Sequence, residues 1–178
     1  ALAANALGII VVHSRVGDNT APRVATIDCT GLTFVSSISS TYDNAGANRG
    51  RVDMLYSMSA ANVDSVLTIG FSSAVSNYSA MLVQVSGVST TGTDGASAVS
   101  QTMLQGASTQ QSSATFAQSF ASTSNGMFGF WAYDNTAQLT SLTASLQTLA
   151  TTPNNAGPIE ALGSWWSNGN LAASHATA

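Results

Sequence analysis

Residues 48–58, NRGRVDMLYSM, carry the alternation from which the architecture of the chain follows. Val52, Met54, Tyr56 and Met58 share one parity; Arg51, Asp53, Leu55 and Ser57 share the other. Successive side chains of a strand point to opposite faces. The first set therefore faces a core, while Arg51 and Asp53 face water or pair with each other, and Leu55 is partly covered. A turn over residues 48–50 leads into this strand.

Working outward, the same signals recur. GIIVVHSRV gives a strand at residues 9–13, PRVATIDCTG another at 24–29, and LTFVSSI alternates through Leu32, Phe34 and Ser36. VDSVLTIGF (63–71) and NYSAMLVQVSGV (77–88) follow, joined by short loops. Short β-branched or aromatic runs bounded by turn residues favour strands over helices. Residues 89–113 are rich in Ser, Thr, Gly and Gln and read as a long surface loop, with a turn at Asp94-Gly95 and one short strand near 102–104. SATFAQSF and GMFGFWAYDN resume the strand pattern, the latter apolar on both parities. AQLTSLTASLQTLATT spaces its leucines for either a short helix or a strand; its threonines favour the strand. Trp165 and Trp166 are adjacent, so in a strand they face opposite ways.

The count is about eight to ten short strands without long helical stretches, which predicts an all-β fold: an antiparallel β-sandwich of jelly-roll or Greek-key type. One domain spans residues 1–178, with an apolar N-terminal arm at 1–8 placed to pack on a neighbour, the loop at 89–113 and a flexible tail at 172–178.

Composition excludes several classes of function. Only 7% of residues are charged: four Arg, no Lys, seven Asp and one Glu, against 27 Ser and 20 Thr. A nucleic-acid interface wants a basic patch, and no cation lies beyond Arg51. No apolar run is long enough for a spanning helix, and the first residues lack the basic region of a secretion signal. Neither nucleic acid nor membrane is an expected partner. Cys29 is alone and reads as a small buried hydrophobe.

Chemistry has little to build on. His13 and His175 are the only histidines, no G-x-S-x-G motif surrounds a serine, and His13 reads as a strand residue near the surface. Zinc-ligand spacings and phosphate loops are absent. The Asp-containing turns at 17–19, 42–46, 92–95 and 133–135 offer oxygen ligands, but Asp and Asn are also ordinary turn formers. No catalytic residue, metal or cofactor is expected. The residues placed as a candidate interface are Arg49, Arg51, Asp53, Trp165 and Trp166, with one tryptophan in the core and the other outside or under a neighbouring subunit.

GLTFVSS (31–37), RGRVDMLYSMSAAN (49–62), VLTIGF (66–71) and YSAMLVQVSGV (78–88) together resemble a pattern in structural proteins of tailed bacteriophages. In those proteins jelly-roll or sandwich modules decorate capsids or form tail and fibre parts. The similar parts are an early G-x-T-F strand, an Arg-led strand ending in Tyr56 and a strand closing in Ser86-Gly87-Val88. The resemblance covers residues 7–90; the Ser/Thr/Gln-rich second half departs from it. It implies a non-enzymatic virion protein, located on the particle, that decorates or stabilises a capsid as a homo-oligomer bound to the major capsid or another virion protein. The alternatives are a carbohydrate- or receptor-binding module, with a glycan on exposed aromatics, and a small hydrolase using His13 or a carboxylate pair.

Overall fold

The computed structural model describes residues 1–16, 23–44, 48–100, 102, 113–115, 125–132, 139–142, 147–151, 159–166 and 172–177, the strands beyond residue 102 as backbone. The centre of the described half is β1 (Leu7–Val16), whose sequence LGIIVVHSRV is apolar on both parities. Such a run belongs to a strand covered on both faces. β1 pairs antiparallel with β4 (Asn48–Met58) on one side and β6 (Asn77–Val85) on the other, and β3 (Val35–Asn44) pairs with the outer side of β4. The result is a four-stranded sheet in the order β3-β4-β1-β6. A ribbon of β2 (Ala25–Asp28) and β5 (Thr68–Phe71) forms a second antiparallel sheet. These six strands pair as nested hairpins: β3 with β4, β2 with β5, β1 with β6.

The two sheets pack face to face. Ile10 and Val12 of β1, with Leu55 and Ala80 beside them, meet Ile27, Ile69 and Phe71 of the ribbon. On the opposite face Leu7, Ile9 and Val11 join Met81 and Val85, with Val52, Met54, Tyr56 and Met58 along β4. Val88, Ala98 and Val99, around a single 3-10 turn at Ala96–Ala98, pack on that face. Burying a side chain such as Ile10 or Val11 contributes about 1.5–3 kcal/mol, and both are almost wholly buried. A third cluster closes the end where β1 begins: Leu2, Ala6, Cys29 and Val63, with Leu32, Phe34 and Leu67.

The second half is also β. β8 (Asn125–Ala132), β10 (Gln147–Thr151) and β11 (Ile159–Trp166) form a sheet in the order β10-β11-β8. β7 (Ser113–Thr115), β9 (Leu139–Leu142) and β12 (Ala172–Thr177) form another, in the order β7-β12-β9. β11 approaches β6. The all-β expectation and the packing of antiparallel sheets are met, and the leucine-spaced segment around 139–149 contributes strands at both described ends.

Several expectations are corrected. Residues 48–50 are the first residues of β4, paired with Asn44, Asp43 and Tyr42, not a turn before it. β5 is only four residues long, because Val63 is held instead in a bridge to Leu2 and Leu67 packs between two clusters. β3 starts at Val35, later than the alternation implied, since Leu32 and Phe34 pack as core outside it. In the N-terminal arm Leu2 is buried within its own chain, where its side chain covers Gly8 so closely that a Cβ there would lie 3.2 Å from Leu2 Cδ1. Ala172–Thr177, expected in the tail, forms β12; its small residues gave no alternation to read. The short strand near 102–104 lies outside the described residues apart from Thr102, which is not in a strand.

Candidate functional site

The candidate residues on β4 sit next to the centre of the fold. Asp53 pairs in register with Val12 and Arg51 with Ser14, so their side chains share the face that the β2-β5 ribbon covers. Asp53 is 5% exposed. Its Oδ1 accepts a hydrogen bond from Arg51 Nε at 2.8 Å, and its Oδ2 accepts one from the Ala25 backbone N–H at 3.2 Å. The local Arg51–Asp53 pair is therefore present, but Asp53 does not face water. It ties the first residue of β2 to β4, using a charge-assisted hydrogen bond where a carboxylate would otherwise be buried alone.

A second set of bonds holds the same end of the ribbon. Arg23 Nε donates to the Ala74 carbonyl at 3.2 Å, and Ser14 Oγ donates to the Arg23 carbonyl at 3.3 Å. Ser76 N donates to the Arg15 carbonyl at 2.9 Å, and Val24 and Ser72 exchange bonds beyond the last β2-β5 pair. Arg15 and Arg49 lie at this end too, in register with Gly50 and Val16 respectively. All four arginines of the chain thus lie at the end where β1 ends and β4 and β2 begin, Arg15 on the opposite face of the sheet from Arg49 and Arg51. Sequence spacing placed only Arg49 and Arg51 together; pairing of β1 with β4 and the position of β2 add the other two.

Trp165 and Trp166 are at the last positions of β11, in register with Gly126 and Asn125 of β8. Their side chains lie outside the described residues, so of the five residues expected at an interface the structure describes the side chains of Arg49, Arg51 and Asp53.

His13 departs most from its expected place. It is completely buried, on the same face of the sheet as Val11, with Val52 and Ser79 as its cross-strand neighbours. Cys29 is buried as expected, its Sγ 3.9 Å from the Ser65 carbonyl oxygen. Asp94 and Gly95 form the expected turn, both with positive φ. Among the described residues no group of three or more His, Cys, Asp or Glu is placed to hold a metal ion, and no helix is long and apolar enough to cross a membrane. Asp18 and Asp134 of the other Asp turns lie outside the described residues.

Sequence reasoning missed the exposed apolar side chain of Leu82 on β6. Tyr78 and Leu82 are 55% and 49% exposed, on the face that the ribbon only partly covers, and the Tyr78 ring tilts against Phe71 with centroids 5.3 Å apart. The signal was the even parity of β6, Tyr78–Ala80–Leu82–Gln84, in which a polar residue ends an otherwise apolar row.

Comparison of the chain with protein-family models, curated proteins and solved structures gives no match.

Proposed function

We propose that the chain is a non-enzymatic structural protein of a virus particle, one that decorates or stabilises the capsid through contacts between copies and with the major capsid or another virion protein. The nested hairpin pairing of β1 to β6 supports the jelly-roll form of the sandwich in this reading. The observation that carries the reading is where the polar groups go. Arg51, Asp53 and Arg23 brace one sheet against the other, while outward positions on β3 and β6 carry Ser36, Ser39, Thr41, Gln84, Tyr78 and Leu82. A neutral, hydroxyl-rich surface suits association by shape and many weak contacts. The test is fractionation of particles from the source culture on a density gradient, followed with an antibody to the purified protein. Comigration with intact particles is expected; recovery of the protein only in the particle-free fractions refutes the reading.

A second reading, a glycan-binding module, is favoured by one observation: the exposed Tyr78 ring buttressed by Phe71. Aromatic faces stack on sugar rings. A glycan array would show binding that Tyr78→Ala abolishes; an empty array removes this reading.

A further inference from the structure

β3 is an edge of the four-stranded sheet, and among the described residues no strand pairs with its outer side. Edge strands are usually blunted by Lys, Pro, inward charges or very short length. The β3 sequence VSSISSTYDN is ten residues long and contains no Pro, Gly, Lys or Arg. Its one irregularity, a bulge between Ser36 and Ile38, lies near its start, and pairing with β4 is regular from Ile38 to Asn44. Ser36, Ser39 and Thr41 are exposed; opposite Leu55, Asp53 and Arg51, they lie on the same face of the sheet as the ribbon.

Charge is polarised along the same strand. β3 ends at the arginine end, with Thr41 opposite Arg51 and Asp43 opposite Arg49. It begins at the other end, where acidic side chains collect without an arginine. Asp28 precedes Cys29 and Asp64 follows Val63, both in the cluster around Leu2. Asp94 adjoins Gly95, which packs on Leu7 and Met58. Leu7 and Val16, the two ends of β1, mark these two ends of the sheet, roughly 30 Å apart at the strand rise. Asp43 and Asp53 temper the arginine end without reversing it.

We propose that β3 pairs antiparallel with β3 of a second copy, about a two-fold axis near the middle of the strand, joining two four-stranded sheets edge to edge. An antiparallel pair sets the arginine end of each copy beside the Asp28 and Asp64 end of the other. A parallel pair would set arginine against arginine. The edge supplies backbone donors and acceptors, and the polarity selects the direction. The pairing rests on the proposed function for its role, since it is the contact between copies that this reading calls for, but not for its geometry.

Light scattering and sedimentation over a range of concentration test it. The expected particle has twice the 18.0 kDa mass of the chain. Its dissociation constant rises with salt, as the Debye length falls from about 30 Å at 0.01 M to about 3 Å at 1 M. Ser39→Lys alters an exposed side chain close to the axis, so the far-UV spectrum stays unchanged. It brings like charges together across the axis and weakens association by about tenfold or more. Hydrogen exchange on the unaltered protein gives an independent readout: β3 amides become protected as concentration rises. A monomer at all concentrations, a dissociation constant unchanged by Ser39→Lys, or β3 exchange independent of concentration overturns the pairing. A monomer that still comigrates with particles refutes the pairing alone; a dimer absent from particles refutes the proposed function alone.

Discussion

Asp53→Ala removes one carboxylate and unmakes two kinds of support at once. The Ala25 N–H, on a residue only 8% exposed, loses its acceptor. An unsatisfied buried donor costs about 1–3 kcal/mol. Arg51 loses its partner at 2.8 Å, but its side chain is 21% exposed, so it can turn toward water. That discounts the ion pair to about 1 kcal/mol, well below the cost of breaking a fully buried one. Together the loss is about 2–4 kcal/mol. Urea unfolding followed by tryptophan fluorescence reads it as a fall in midpoint of about 1–2 M, for a slope of about 2 kcal/mol/M. Asp53→Asn keeps a carbonyl oxygen for the Ala25 N–H and gives up only the charge, so its loss is about half as large. In a double-mutant cycle, Arg51→Met and Asp53→Ala couple by about 1 kcal/mol. An Asp53→Ala midpoint shift worth less than about 0.5 kcal/mol, the ordinary range of surface substitutions, would refute the idea that this carboxylate ties β2 to β4.

Three further outcomes are expected. Gly95→Ala destabilises the chain by about 2 kcal/mol or more, because φ is +88° and an added Cβ would come within 2.8 Å of Leu7 Cδ1; thermal unfolding that is unchanged would mean this turn does not press on the core. Leu2→Ala costs about 2–3 kcal/mol in the same assay, since Leu2 is buried over Gly8; a neutral result would show that the first residues add nothing to the sandwich. Cys29 reacts with an aromatic disulfide reagent only after denaturant is added, because its thiol is buried; rapid reaction of the native protein contradicts that burial.

The alternation in NRGRVDMLYSM correctly predicted which side chains of β4 meet the Leu7–Ile9–Val11 face. It misplaced Asp53, because parity separates two faces without saying what covers either. In a strand next to the centre of a sandwich both faces are covered, and Leu55, on the parity of Asp53, was the trace of that second core. His13 was misread in the same way. It interrupts an apolar run whose neighbours on both parities are core residues, and burial followed from the run rather than from the imidazole. Leu2 and Val63 were illegible for another reason. Their bridge joins segments 61 positions apart with no alternation at either end. The gathering of four arginines was half legible, since Arg15 and Arg23 reach Arg49 and Arg51 only through strand pairing and the placement of the ribbon.

With so few charges, each one has a traceable consequence, and Asp53 allows folding and association to be separated. Asp53→Asn weakens the tie between β2 and β4, yet it also removes one negative charge from the arginine end of the sheet. In an antiparallel pair that end lies beside the Asp28 and Asp64 end of the partner. The variant therefore unfolds at lower urea while its dimer at low salt is as tight as, or tighter than, that of the unaltered chain. Its salt dependence is also steeper, because screening now acts on a larger opposite charge. Sedimentation at low and high salt, beside urea unfolding, tests both halves. Association that weakens at low salt along with stability would show that β3 depends on the Asp53 tie for its shape, and that charge polarity does not set the direction of pairing.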